Sequence, residues 1–229
     1  MSVSPGGSST PNGIALPMRP SAAYTASTSL TFLKPRLKES LRPWAARLSR
    51  SGVTANQVTL TSLVGSVVVG VLLCVFAADR GLFAILPIWL AGRTACATID
   101  GTLAVDFGQK SRLGGFLNEV GDVISDIALF LPLRFVSPFS TRGIGFLIAL
   151  FIASELAGIA PTVVGGERRL EGPLGKVDRS IILSAVAIAI AIFGRLPESA
   201  SMLVPVLSVG AIVTICNRAR FAVHELAAA

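Results

Sequence analysis

The chain has 229 residues, of which 52% are hydrophobic and only 14% are charged, and its mean hydropathy is +0.71. Soluble domains carry about a quarter charged residues, so this composition excludes an ordinary water-soluble protein. The net charge is +7, but the basic residues lie between apolar blocks, where they orient membrane helices. We therefore expect membrane lipids as surroundings and no nucleic-acid partner.

The N-terminal segment, residues 1–31, is rich in Ser, Pro, Gly, Thr and Ala and contains no acidic residue. Such a segment cannot bury an apolar core, so it is predicted to be a disordered tail.

Residues 32–55 have apolar side chains at helical spacing with lysines and arginines between them. This pattern predicts an amphipathic helix that lies in the membrane interface, with its basic groups toward anionic headgroups. An ordinary positively charged flank of the first span is the alternative. Pro43 predicts a kink or break within the helix.

The apolar blocks predict an all-α, polytopic membrane protein with a bundle of six transmembrane helices, because each is near the length that crosses a bilayer. The bundle would occupy residues 56–220, with a short C-terminal tail at 221–229. The six spans are placed near 57–77, 82–104, 114–136, 143–162, 180–194 and 202–217.

The basic residues are distributed unequally between the two ends of these spans. Of the twenty, fifteen lie on the side shared by both termini, four lie on the opposite side, and Arg93 lies within the second span. The positive-inside rule then places both termini in the cytoplasm. We expect a bacterial inner membrane as the location, and the small residues in the spans would allow a homodimer.

Polar side chains inside the second and third spans form a candidate site. Asn118, Asp122 and Asp126 share one helical face, Glu119 borders that face, and Asp100 lies near the end of the preceding span. Such close carboxylates repel one another unless some are protonated, or a cation or basic partner lies among them. Oxygen ligands from two helices suit Mg²⁺ or Mn²⁺. A polar seam between helices is the alternative, but charges inside spans are usually functional.

The stretch from Asp100 to Asp122 reads DGTLAVDFGQKSRLGGFLNEVGD. It resembles DxxDGxxARx8GxxxDxxxD, the signature of the CDP-alcohol phosphotransferase family. Five positions match the signature: Asp100, Gly101, Ala104, Gly114 and Asp122. Three depart from it, since Ala97, Val105 and Asn118 stand where the family has Asp, Arg and Asp.

Two further segments resemble the family. The run GVTANQVT at residues 52–59 is similar to the family's GxTPNxxT, with Ala55 replacing proline, and Gly175-Lys176 resembles its GK element. The resemblance implies that Asn56 and Thr59 help to form a nucleotide pocket and that Lys176 meets the diphosphate.

In this family, a phosphoalcohol or phosphatidyl group moves from a CDP-linked donor, such as CDP-diacylglycerol, to a hydroxyl acceptor, and CMP is released. The resemblance implies that Asp122 is the catalytic base. It also implies a divalent metal, Mg²⁺ or Mn²⁺, held by Asp100 and Asp122 with Asn118 or Glu119. Asp126 is another acid that would replace a missing ligand. Gly101, Ala104 and Gly114 would let the nucleotide approach the helices closely.

Three functions remain open from the sequence. The first is an active transferase of phospholipid biosynthesis with an altered metal site. The second is a catalytically impaired family member that binds lipid or a partner protein, because three signature positions differ. The third is a small transporter, since buried acids also serve ion pathways.

Overall fold

The computed structural model describes residues 33–166 and 168–228, and the predicted tail at 1–31 lies outside them. Within these residues the chain forms α-helices and short 3₁₀ turns, with no strand. The helices are α1 Leu33–Arg50, α2 Ala55–Val75, α3 Ile85–Asp106, α4 Arg112–Phe130, α5 Thr141–Val163, α6 Lys176–Phe193 and α7 Leu203–Ala228. The all-α prediction is confirmed.

In the part of the chain that the structure describes, four helical segments are long and apolar enough to cross a membrane: Ala55–Val75, Arg80–Asp106, Thr141–Val163 and Glu198–Glu225. Helices α4 and α6 coincide with the other two predicted spans, but each carries more charge. Helix α4 contains three acidic residues, and α6 begins with a lysine, an aspartate and an arginine within four residues. The count of six spans therefore stays a prediction. Helix α7 also continues to Ala228, through the residues predicted as a short tail.

Helix α1 packs against the end of α3. Ala45 is fully buried in a small cluster with Ala55 and Leu103. Lys38 Nζ also lies 2.9 Å from Asp106 Oδ1. The helix continues through Pro43 without the predicted break. A helix is thus present in the segment predicted to be interfacial, and its position in a membrane interface stays a prediction.

The apolar core lies toward one end of the bundle. It is built from the end of α2, the start of α3, the end of α4, the first half of α5 and the second half of α6. Its fully buried members include Leu73, Leu86, Leu129, Leu147 and Ile190. Short connections make successive helices antiparallel, so the opposite ends of these elements converge at the other end of the bundle. The charged residues of α3, α4, α5 and α6 are collected there.

Candidate functional site

The start of α2 is fixed by a capping box. Thr54 Oγ1 accepts a hydrogen bond from Gln57 N at 3.2 Å, and Thr54 N donates to Gln57 Oε1 at 2.9 Å. This arrangement satisfies backbone donors that are otherwise unpaired at a helix start. One turn later, Thr59 Oγ1 donates to Asp100 Oδ2 at 2.7 Å. The segment that resembles GxTPNxxT is thereby joined to the signature motif on α3.

Gly114 allows α4 to begin close to α2. A Cβ atom at this position would lie 2.5 Å from Asn56 Oδ1 and 3.0 Å from Ser111 Oγ. Gly101 differs, because a Cβ atom there would meet nothing within 4 Å. The helix surface at Gly101 is thus open, whereas the missing side chain at Gly114 leaves room for Asn56 to lie against α4. Ala104 is half-buried beside the small cluster that joins α1 to α3.

Asp122 projects from α4 between two cations. Its Oδ1 atom lies 2.8 Å from Arg93 Nη2, and its Oδ2 atom lies 2.5 Å from Lys176 Nζ. Both carboxylate oxygens of the predicted base are therefore paired with basic groups from α3 and α6. Asp100 lies close enough to Asp122 for the two carboxylates to repel each other.

Lys176 is positioned by the loop that precedes α6. Arg169 N donates to Gly158 O on α5 at 2.9 Å, and Leu174 N donates to Thr214 Oγ1 on α7 at 3.1 Å. Gly158 must be small here, since a Cβ atom would lie 2.7 Å from Arg169 O. The loop is thus attached to both neighbouring helices, and Lys176 follows it as the first residue of α6.

Asp126 lies one turn beyond Asp122 and is held from two sides. Arg93 Nη1 lies 3.1 Å from Asp126 Oδ1, and Arg179 Nη1 lies 3.1 Å from Asp126 Oδ2. Arg93 therefore joins the two aspartates of α4 through its two terminal nitrogens. This forked geometry suits a guanidinium group.

The remaining acids of the cluster are Glu119 and Glu155. Arg168 forms a close ion pair with Glu119, whose other oxygen lies 4.0 Å from Lys176 Nζ. Glu155 projects from α5, and its side chain is 3% exposed. We use the name charged cluster for four acids and the five cations that face them. The acids are Glu119, Asp122, Asp126 and Glu155, and the cations are Arg93, Arg168, Lys176, Arg179 and Arg218.

The charged cluster shows how the repulsion among the α4 acids is relieved. Its four acids face five cations, so basic partners lie among the carboxylates. Within residues 33–166 and 168–228, no group of three or more Asp, Glu, His or Cys side chains is arranged to hold a metal. The predicted metal ligands are therefore not gathered into a cage built from protein alone, and their role stays a prediction.

The donor set nevertheless fits a hard divalent ion that shares its ligands with a substrate. Asp100 and Asp122 supply two interacting carboxylates, and the half-buried Asn118 supplies an amide oxygen on the same face as Asp122. Mg²⁺ is commonly bound by one or two carboxylates together with water and substrate phosphates, without a complete protein cage. A site of this chemistry needs a phosphate-bearing ligand to become complete.

Sequence reasoning missed several members of the charged cluster. Arg168, Arg179 and Arg218 were counted only for orientation, Arg93 was noted only as lying within the second span, and Glu155 was not singled out. A usable signal was present for two of them, because Arg93 and Glu155 are charges inside otherwise apolar spans. Their partners lie on other helices, so the sequence pattern of a single helix could not predict the ion pairs.

Comparison with known proteins gives two relatives by sequence. The chain is 38% identical over 188 residues to the inner membrane protein YnbA of Escherichia coli (strain K12), and the match covers 82% of this chain and 93% of that protein. It is 28% identical over 182 residues to the phosphatidylinositol phosphate synthase of Mycobacteroides abscessus, covering 77% and 80%. No protein-family model matches the chain.

Two solved structures of Mycobacterium tuberculosis phosphatidylinositol phosphate synthase (PgsA1) share the fold. The structure with CDP-DAG bound has a TM-score of 0.66 and 22% identity, and covers 79% of this chain and 92% of its own. The structure with manganese and citrate has a TM-score of 0.65 and 21% identity, and covers 79% and 87%. The helical arrangement described above is therefore also the fold of this synthase.

Proposed function

This chain belongs to the CDP-alcohol phosphotransferase family, and we propose that it moves a phosphoalcohol or phosphatidyl group from a CDP-linked lipid to a hydroxyl acceptor, releasing CMP. One observation supports this most directly. Three sequence segments that resemble the family meet in space, because Thr59 bonds to Asp100 and Lys176 bonds to Asp122. The spaced motif is therefore part of one site.

CDP-diacylglycerol is the donor that fits best. A solved relative of the same fold has CDP-DAG bound, and a second structure of it contains manganese. A divalent ion, Mg²⁺ or Mn²⁺, would be held by Asp100 and Asp122 with Asn118, and Glu119 is an alternative ligand. Such an ion supplies charge neutralisation at the oxygens of the diphosphate.

The residues of the chain itself would bind and orient the two substrates. Asn56, Thr59, Gly101, Ala104 and Gly114 would line the nucleotide pocket, where Gly101 leaves open space beside α3. Small residues at such positions allow a ligand to reach the helix backbone.

Asp122 would accept the proton of the acceptor hydroxyl, since a general base must lie within hydrogen-bond reach of that proton. Its two oxygens are paired with Arg93 and Lys176, so one pair must open before it can act. Lys176 is the partner that would leave. It is the first residue of α6 and carries a flexible point charge that the donor diphosphate would attract.

The chain would lie in a bacterial inner membrane, as its relative YnbA does by name. We propose six spans with both termini and the site on the cytoplasmic side, because fifteen of the twenty basic residues fall on that side. Helix α1 would lie in the interface, where Trp44 is 57% exposed. The small residues in the spans would allow two copies to form a homodimer.

The test is release of CMP from CDP-diacylglycerol by purified protein, with and without Mn²⁺, across a panel of hydroxyl acceptors. We expect release that needs both the metal and an acceptor. If no acceptor supports release, and nucleotide binding is independent of metal, the transferase proposal is wrong. A family member that binds lipid or a partner protein would then take its place.

A further inference from the structure

Glu155 lies at the centre of four cations. Its Oε2 atom is 3.3 Å from Lys176 Nζ and 3.7 Å from Arg168 Nη2. Its Oε1 atom is 3.7 Å from Arg218 Nη1 and forms a close ion pair with Arg179. These cations come from α6, α7 and the loop before α6, so one carboxylate on α5 binds three parts of the chain together.

The cations around Glu155 have more donors than one carboxylate can satisfy. Arg179 is 2% exposed, and within the described residues its Nε atom has no hydrogen-bond partner. Arg218 uses one nitrogen on the carbonyl oxygen of Ser154. A guanidinium group has five N–H donors, and a carboxylate has two oxygens. This surplus is characteristic of a place where arginines and lysine surround an oxyanion with more oxygens, such as phosphate.

Lys176 contacts both Glu155 and the proposed base Asp122, so this phosphate-like position adjoins the place where the acceptor hydroxyl would bind. We propose that Glu155 is a built-in anion that fills this position, and that the acceptor is therefore an alcohol without a phosphate group. This inference rests on the proposed function and specifies its acceptor class. Glu155 cannot move aside as a surface side chain could, because it projects from the second half of α5 and is buried. Glu119 and Asp126 would add to the repulsion of a second anion.

The first test measures binding of inorganic phosphate to the detergent-solubilised protein by calorimetry and thermal unfolding. Glu155→Ala removes the charge and leaves space, so its affinity for phosphate should exceed that of the wild type by at least about tenfold. Acetate, which replaces the missing carboxylate, should also raise its unfolding temperature. Glu198→Gln is the control, since this acid lies at the opposite end of the bundle and should leave phosphate affinity unchanged.

A variant that loses a buried acid among four cations is liable to misfold in chloride buffer. In that case recovery of folded Glu155→Ala in phosphate or acetate, but not in chloride, supports the inference. Glu155→Gln gives a second test, because it removes the charge but keeps the shape, and phosphate should stabilise it more than it stabilises the wild type. The inference is wrong if the wild type and a folded Glu155 variant bind phosphate with equal affinity. If neither variant folds in any buffer, saturable binding of phosphate by the wild type would also overturn it.

The second test compares glycerol and glycerol 3-phosphate as acceptors for CMP release by the wild type. Release with glycerol and not with glycerol 3-phosphate supports the inference, and a preference for the phosphorylated form overturns it. If neither of these two alcohols supports release, the full acceptor panel tests the proposed function. The phosphate-binding measurement then decides the role of Glu155 by itself, because it does not depend on turnover.

Discussion

The guanidinium group of Arg93 on α3 lies 2.8 Å from the carboxylate of Asp122 on α4. The same group reaches Asp126 at 3.1 Å. The residue proposed as the base is therefore oriented by a fixed cation on one oxygen and by the more flexible Lys176 on the other. Arg93 would keep the carboxylate of Asp122 in place, while departure of Lys176 would free one of its oxygens to accept a proton.

Replacement of Arg93 should destabilise the protein. Arg93→Met leaves Asp122 and Asp126 with one cation each, and we expect a loss of about 3 kcal/mol, because a buried charge without its partner is costly. Thermal unfolding in detergent measures this loss. Arg195→Met is the control, since Arg195 is exposed at the opposite end, and its effect should stay within about 0.5 kcal/mol. Equal effects of the two changes would contradict the structural role of Arg93.

The two glycines at the start of α4 should respond differently to alanine. At Gly115 a Cβ atom meets nothing within 4 Å, so Gly115→Ala should stabilise the helix by up to about 1 kcal/mol. At Gly114 it would lie 2.5 Å from Asn56 Oδ1, so Gly114→Ala should displace Asn56. Calorimetric binding of CDP-diacylglycerol should weaken for Gly114→Ala and not for Gly115→Ala. Unchanged binding in both would remove Asn56 from the proposed pocket.

The helices and the motif could be predicted from the sequence for simple physical reasons. Apolar blocks of spanning length predict helices directly. The spacing of the motif along the sequence, from Asp100 to Asp122, predicts that the ends of two successive helices meet. The partners of the acids were not accessible, because Arg168 and Lys176 reach α4 only through a loop attached to α5 and α7. Glu155 shows this limit most clearly, since its four cations are 13 to 63 residues away along the chain.

Asp100 and Asp122 should carry the reaction. Asp100→Asn and Asp122→Asn preserve shape while removing charge, and each should reduce CMP release by two or more orders of magnitude, since general-base catalysis alone supplies roughly 10²–10⁴-fold. Glu119→Gln and Asp126→Asn should have smaller effects, because arginines hold both acids, whereas one partner of Asp122 is the more flexible Lys176. A loss from either that matches Asp122→Asn would indicate that it replaces a missing ligand.

The proposed topology rests on the distribution of basic residues. We expect a reporter fused at His224 to be cytoplasmic and one fused near Arg195 to be periplasmic, because these positions lie at opposite ends of α7 and its preceding turn. A periplasmic signal at His224 would reject the proposed orientation. Two cytoplasmic signals would reject α7 as a span.

Restoring the family signature should strengthen the metal site. Ala97 is exposed on α3, one turn before Asp100, and Asn118 is half-buried one turn before Asp122. Aspartate at both positions would double the number of motif carboxylates. Each added carboxylate favours a hard cation, so Ala97→Asp with Asn118→Asp should bind Mn²⁺ at least about tenfold more tightly. Electron paramagnetic resonance of bound Mn²⁺ measures this without any turnover.

The affinity of the wild type for Mn²⁺ is as informative as the increase in the restored variant. In the wild type, Arg93 and Lys176 already neutralise Asp122, so Mn²⁺ alone should bind weakly and should bind more tightly once CDP-diacylglycerol is present. The restored variant should depend less on the donor, because its own oxygens replace those of the diphosphate. If instead the wild type binds Mn²⁺ tightly without donor and the added aspartates weaken that binding, Glu119 or Asp126 already holds the ion, and the added charge merely repels its neighbours.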